Sequence, residues 1–301
     1  MFILKYKKIF LGFSILITIV AAGLLGYFGL NLGIEYTGGS VIEFTTQEEV
    51  SEQIIRERLS SAFIQGFVLR ETDNGYNLKI KTEGDGITHN VHILNVISGD
   101  NPDLIDVQKF DTIGPTLGNE LKTKALVALF AVIIVITIFI AYAFRHVSKP
   151  VSSWKYGLVT MLALLHDIII TLGVFALLGS LMGLEIDSLF LTALLVILGY
   201  SINDTIIVLD RIRENLFSAS EKDRVKDFEN IVGKSLEQTF VRSLNTTFTT
   251  LISLVVIFIL TPASIHNFAL ALIIGVASGA YSSLFIAAPL LAYFNKEKKV
   301  G

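Results

Sequence analysis

The stretch ALVALFAVIIVITIFIAYAF, residues 125–144, decides the fold class. It runs for about 20 residues, the length that crosses a bilayer as a helix, without a single Lys, Arg, Asp or Glu. Comparable blocks lie to either side. Ile9 to Leu30 precedes it. Tyr156 to Leu178 follows, interrupted only by His166-Asp167, and then Leu189 to Leu209, interrupted by Asn203-Asp204. Thr246 to Leu260 is short and Phe268 to Phe294 is long, with Thr261-Pro262 and Asn267 expected to form a tight turn between them. The expectation is six transmembrane helices. Composition agrees: 52% of the 301 residues are hydrophobic, only 17% are charged, and mean hydropathy is +0.65. The Ile9 block follows Lys5, Lys7 and Lys8, as in a signal peptide. It exceeds the usual h-region and no A-x-A-type site closes it, so a retained span is expected.

Between the first two blocks, from Asn31 to about Lys124, the composition is that of a soluble domain. Val41 to Phe44 alternates like a strand. Gln47 to Phe63 reads as an amphipathic helix carrying Val50, Ile54, Ile55, Leu59 and Phe63 at helical spacing. Phe67 to Glu71 and Tyr76 to Thr82 read as strands joined at Asp73-Asn74-Gly75, where both central residues tolerate positive φ. Ile87 to Ile97 reads as a second helix and Leu104 to Phe110 as a last strand. The order β-α-β-β-α-β is that of a ferredoxin-like domain. The expected fold is therefore a six-helix transmembrane bundle with a small α+β extracytoplasmic domain. Its parts are residues 1–30 (tail and first span), 31–124 (the α+β domain) and 125–301 (five helices). The last part includes a polar, amphipathic cytoplasmic segment over 210–245 and a basic tail.

Charge placement orients the expected helices. The segments assigned to the inside carry Lys5, Lys7 and Lys8, then Arg145, Lys149 and Lys155, seven more Lys/Arg between Asp210 and Arg242, and Lys296, Lys298 and Lys299. The short outside loops near 179–188 and 261–266 carry none. By the positive-inside rule both termini are expected in the cytoplasm and the α+β domain outside. Net charge is only −3, which gives nucleic-acid binding no support. The chain has no cysteine, which excludes disulfides, Cys-ligated zinc, iron–sulfur clusters and thiol nucleophiles. Nothing reads as a haem or flavin motif, so no cofactor is expected.

Ionisable groups at bilayer depth are costly and ask for a reason. Asp167 falls near the middle of the third span. Asp204 falls nearer the cytoplasmic end of the fourth, beside Asn203, with Asp210 and Arg211 at the membrane edge. Seven residues are close to two helical turns, so Tyr200, Asp204, Ile207 and Arg211 form one stripe, expected to face other helices. Such polar groups can simply join helices through hydrogen bonds, and for Asn203 that reading and a functional one stand level. Two carboxylates are a costly way to join helices, so Asp167 and Asp204 read as a proton or cation relay. Low dielectric favours the neutral form of a carboxylate, which lets it gain and lose a proton near working pH. Arg211 could hold Asp204 or Asp210 charged, against ordinary anchoring at the membrane edge. His166 could serve a relay acid, against a hydrogen-bonded histidine at a helix interface.

Other features read as packing. Gly275, Gly279 and Ser283 recur every four residues, a ridge that lets another helix approach. Gly38-Gly39 lacks the Gly-Lys-Ser/Thr ending of a phosphate loop and reads as a turn into the first strand. Asn245-Thr246-Thr247 matches a glycosylation sequon but lies on the inside edge of a span.

Gly199-Tyr200-Ser201-Ile202-Asn203-Asp204-Thr205, continuing through Val208-Leu209-Asp210-Arg211-Ile212-Arg213-Glu214-Asn215, closely resembles the fourth-span signature of the SecF family, membrane subunits of the bacterial preprotein translocase. Leu165-His166-Asp167-Ile168 resembles the family's third-span motif. Ser243-Leu244-Asn245-Thr246-Thr247 resembles the entry to its fifth span. Gly33-Ile34-Glu35-Tyr36-Thr37-Gly38-Gly39 resembles the segment after its first, where Asp and Phe are usual in place of Glu35 and Tyr36. The resemblance covers nearly the whole chain. It implies half of a pseudo-symmetric transporter of the resistance-nodulation-division type, with SecD as the other half. It also implies the SecYEG channel, the translocating preprotein and membrane lipids as partners, and no covalent chemistry. The expected role is to assist late protein export across the bacterial cytoplasmic membrane at the expense of the proton-motive force. Asp167, Asp204 and Arg211 are then relay candidates, with Asn203 and Asp210 second, and sodium or hydrogen ions both fit the pair of acids. A half-transporter of lipids or small molecules and a non-transporting scaffold are the rival readings.

Overall fold

The structure is a computed structural model and describes residues 2–46, 50–64, 67–72, 75–80, 86–99, 101, 104–145, 151–220, 224, 227–261 and 263–294. The expected features at residues 47–49, Asp73, Asn74, Lys149, Pro262, Lys296, Lys298 and Lys299 lie outside the described residues. The chain divides into two compact units: Met1–Asn31 with Ala128–Gly301, and Leu32–Val127.

The unit over Leu32–Val127 carries the expected order of elements. β1 (Gly39–Thr46) precedes a helix over Glu52–Ser61, then β2 (Phe67–Thr72), β3 (Gly75–Ile80), a helix over Gly86–Ser98 and β4 (Ile105–Ile113). The sheet order is β2-β3-β1-β4, antiparallel throughout, which is the ferredoxin-like arrangement. Alternation explains its buried face: Ile42 and Phe44 on β1, Leu69 on β2, and Leu78 and Ile80 on β3 pack with Ile55 and Leu59 of one helix and Ile93 and Ile97 of the other. Each such fully buried side chain contributes about 1.5–3 kcal/mol. Thr72 pairs with Gly75, bracketing the expected hairpin. β1 carries a register shift between Glu43 and Phe44 against β4.

The first helix departs from expectation at its end. It stops at Ser61, and Phe63 adopts φ 58° and stands 88% exposed. Ile64 takes the buried place instead, and Ile54 points out. The Gly38-Gly39 pair is a turn, as expected: a short helix over Ile34–Thr37 ends at Gly38, and β1 starts at Gly39. Gly38 has φ +80° and a Cβ there would stand 2.7 Å from Pro115 Cα. Gly39 has φ +150°, and its Cβ would stand 2.4 Å from the Ile80 carbonyl oxygen. Both positions therefore require glycine.

Six described helices are long and apolar enough to cross a membrane: span 1 (Lys7–Phe28), span 2 (Pro115–Ala143), span 3 (Ser153–Met182), span 4 (Ser188–Ser218), span 5 (Phe228–Leu260) and span 6 (Ile265–Tyr293). A short helix, Phe2–Lys5, precedes span 1. Within the polar segment over 210–245, the described residues continue span 4 to Ser218 and open span 5 at Phe228, and the buried side chains Ile212, Leu216, Phe228, Val232 and Leu236 belong to one core cluster. Asn267 likewise sits inside a helix rather than in a turn, donating to the Glu185 carbonyl at 3.1 Å.

Spans 6, 3 and 4 are the inner helices. They bury 67, 50 and 44% of their most apolar windows, against 17% or less for spans 1, 2 and 5. Small residues set the contacts, as expected for helices in lipid. A Cβ at Gly275 or Gly279 of span 6 would collide with Ile197 or Ser201 of span 4, and one at Gly173 of span 3 with Ala21 of span 1. Span 6 is irregular: residues Ser283–Ala287 form a π-turn within it. Where spans 1 and 5 begin, Lys7 is 5% exposed and bonds Glu229 at 2.6 Å, so this lysine is a buried ion-pair partner.

Candidate functional site

The two acids singled out in the sequence are both buried in the helical unit, but their surroundings differ. Asp167 is fully buried, and its carboxylate meets four hydrogen-bonding side chains, three of them serine donors. Ser278 donates to Oδ1 at 3.0 Å, and His166 Nδ1 lies 3.0 Å from the same oxygen. Ser201 and Ser282 donate to Oδ2 at 2.6 and 2.8 Å. The donors come from spans 3, 4 and 6, so one carboxylate ties the three inner helices together. Hydrogen bonds to a charged group contribute about 1.5–3 kcal/mol each. Ser278 and Ser282 reach it together because they are four residues apart on one helical face. The π-turn begins at the residue after Ser282.

Asp204 is 1% exposed, and its Oδ2 meets no hydrogen-bond partner among the described residues. Its polar neighbours lie on span 5: the Thr247 hydroxyl and the Arg242 guanidinium. Span 5 presents a seam of hydroxyls here. Ser235, Thr239, Ser243 and Thr247 recur every four residues, and all are buried. Three of them donate back to the carbonyl one turn earlier, the intrahelical route open to a hydroxyl in a helix. The Ser243 hydroxyl has no partner among the described residues. Tyr200, one turn from Asp204, bonds Thr250 at 3.3 Å, and Asn215 reaches Ser235 and Gln238 at 2.8 Å each. Tyr200 and Asp204 of the predicted stripe thus face span 5, while the Arg211 side chain pairs along its own helix. Ser201 and Asp204 are three residues apart, about 4.5 Å along the helix, so the two acid sites are neighbours.

The other sequence candidates fall elsewhere. Asn203 is exposed. Arg211 pairs with Glu214 at 2.7 Å and Asp210 with Arg213, each within one turn of the same helix. The cation whose charge acts on Asp204 is Arg242 of span 5, an exposed residue that makes no ion pair with the acid. Ser201, Ser278, Ser282 and Thr247 were also missed as site residues. For Ser278, Ser282 and Thr247 the four-residue spacing of Ser/Thr along spans 5 and 6 was the available signal. No group of three His, Asp or Glu side chains that could hold a metal ion occurs among the described residues.

The sequence matches two family models, one described as protein export membrane protein SecD/SecF, C-terminal, over residues 96–297, and one as the SecD/SecF GG motif over residues 24–50. Among curated proteins, the chain is 34% identical to the protein translocase subunit SecF of Thermobaculum terrenum, over 98% of this chain and 94% of that one. It is 32% identical to that of Haemophilus influenzae, over 94% and 83%. Among solved structures it is similar to SecDF from Thermus thermophilus, described as a translocon-associated membrane protein, with a TM-score of 0.78 at 28% identity. That match covers 98% of this chain and 38% of the longer SecDF chain. A family-model match over two thirds of the sequence, near-full-length relatives and six spans with an inserted ferredoxin-like unit lead to one conclusion: the chain belongs to the SecF branch of the SecD/SecF family of protein translocase subunits.

Proposed function

We propose that this chain works as a proton-coupled half-transporter within the Sec export machinery. In this reading it pairs with a SecD-like subunit, associates with the SecYEG channel and spends the proton-motive force on late export of preprotein. It lies in the cytoplasmic membrane with both termini inside, and its ferredoxin-like domain contacts the emerging chain outside. The pairing rests on the SecDF match, whose longer chain leaves room for a second half. The orientation rests on the Lys/Arg asymmetry of the short loops. Asp204 and Asp167 are the relay acids. Arg242 takes the role of the cation that balances Asp204, in preference to Arg211, whose guanidinium is occupied by Glu214. Asn203 and Asp210 stay at the margin of the relay.

One observation carries this reading: Asp204 is a buried carboxylate with an unpartnered oxygen, set against a hydroxyl seam and one guanidinium. A scaffold has no use for such a group, since a neutral side chain packs at lower cost. Moving one charge through 100 mV releases about 2.3 kcal/mol, enough to bias two packings of the inner spans. The test is Asp204→Asn in membranes bearing the whole complex. The variant is expected to insert normally and to lose the increment of export that an imposed proton gradient produces. Export at the wild-type rate under the gradient removes Asp204 from the relay. Loss of small-molecule efflux with normal export would favour the rival transporter.

A further inference from the structure

His166 holds a polar atom that the site described above does not use. The residue is 7% exposed, and its Nε2 has no hydrogen-bond partner among the described residues. Buried polar atoms left that way are rare and ask for an explanation. The other ring nitrogen faces Asp167 Oδ1 at 3.0 Å. Three serine hydroxyls already donate to Asp167, so its oxygens act as acceptors, and Nδ1 is left the role of donor. With Asp167 ionised, the proton sits on Nδ1 and Nε2 carries a bare lone pair inside the protein.

The titratable groups facing the ring are Asp167 on its own helix and Tyr281 on span 6. Tyr281 stacks on the imidazole with centroids 6.1 Å apart and planes 26° apart. Its hydroxyl lies 3.1 Å from Ser14 Oγ and donates to the Phe10 carbonyl of span 1 at 3.2 Å. Span 4 contributes the Ser201 hydroxyl through Asp167. Phe13 and Phe285 pack on Tyr281, so the ring lies in an aromatic, largely apolar surround.

We propose that His166 Nε2 is a proton-accepting station of the coupling cycle. This rests on the proton-coupled reading above. An N–H bond forms at Nε2 as an O–H bond of an entering hydronium breaks, and the reverse step releases the proton. The Nδ1–H bond to Asp167 persists through this step, so the pair passes from a net charge of −1 to 0 without oxidation or reduction. In this step Asp167 is the relay's counter-charge and Nε2, which is vacant, takes the proton. The change in charge reaches spans 4 and 6 directly, because Ser201, Ser278 and Ser282 are held by the same carboxylate.

Two measurements on the whole complex test this. In nitrogen-15 spectra of histidine-labelled wild-type protein in membranes, one resonance pair absent from His166→Asn should show Nδ1–H with bare Nε2 and should gain a proton at Nε2 on acidification. The opposite tautomer, or no change on acidification, overturns the proposal. Only the assignment uses the variant; the tautomer and its change are read from the wild-type protein. The second is export against pH under an imposed proton gradient. Asn keeps a donor near the place of Nδ1 but has no titratable nitrogen, so His166→Asn should lose the gradient-driven increment with its pH profile. A wild-type pH profile in His166→Asn overturns the histidine assignment. If Asp204→Asn in the same assay does lose the increment, the relay reading survives that failure. If both variants keep the increment, the relay reading falls as well.

Discussion

Gly275 of span 6 lies so close to Ile197 of span 4 that a Cβ on the glycine would stand 2.2 Å from Ile197 Cδ1 and 2.4 Å from Cγ1. The two helices meet here with no room for a methyl group. Gly275→Ala is therefore expected to destabilise the helical unit by about 1–3 kcal/mol, the cost of overpacking. Ile197→Ala should recover part of that loss in the double variant. Thermal unfolding of the four proteins of this cycle in detergent reads the coupling, and strictly additive losses would mean the helices can move apart.

The Asp167 carboxylate is hydrogen-bonded to four side chains on three spans, three of them serine donors. Asp167→Asn puts an amide N–H₂ where two of those donors point, so at least one hydroxyl must turn away. A loss of about 1–3 kcal/mol in unfolding free energy is expected. Ser201→Ala and Ser282→Ala should each lose a similar or smaller amount. Their double variant should lose less than the sum, because both hydroxyls serve the same oxygen.

Lys7 and Glu229 form an ion pair in which the lysine is buried and the glutamate is half exposed. Glu229→Gln leaves the ammonium poorly compensated and is expected to cost about 1–3 kcal/mol. The exchanged pair, Lys7→Glu with Glu229→Lys, should regain most of the stability, whereas Lys7→Glu alone should express poorly. If the exchanged pair is no better than Lys7→Glu, the contact does not hold the two helix starts together.

Tyr76 supplies the clearest pH dependence outside the spans. Its hydroxyl donates to the Val50 carbonyl at 2.6 Å, and burial, with Glu71 and Glu52 adding to it, holds its pKa above the ordinary 10.0. A raised acid favours the folded state while the phenol is neutral. The contribution is thus fully present below about pH 10 and is lost as pH rises through the folded value. Tyr76→Phe should cost about 1 kcal/mol near neutrality. The gap between the two proteins in thermal unfolding should close only above pH 10. A gap that closes at lower pH assigns the dependence to another group.

The spans and the ferredoxin-like order could be read from the sequence because each rests on a local period. Runs of apolar residues mark the membrane helices, and alternation marks β1 and β3. Asp167 and Asp204 stood out for the same reason, as carboxylates inside apolar runs. What surrounds them did not. Arg211 was the natural partner for Asp204 by spacing along one helix. Glu214, only three residues away, satisfies it instead, and the cation that bears on the acid comes from the next helix in the chain. The convergence of Ser201, Ser278 and Ser282 on Asp167 joins residues 111 and 115 positions apart with others 34 apart, and no local pattern encodes such distances.

The π-turn at Ser283–Ala287 has a consequence for how span 6 keeps count. A π-turn accommodates one residue more than a regular helix over the same rise. Deleting one residue within 283–287 would return the helix to its ordinary pitch without shortening it. Asp167's serines, which precede the turn, would keep their places, and so would the Ala288–Tyr293 end. Deleting one residue before Ser278 has no such absorber. It would rotate Ser278 and Ser282 by about 100° away from the carboxylate. Span 6 therefore divides into a half where insertions and deletions are forgiven and a half where they are not.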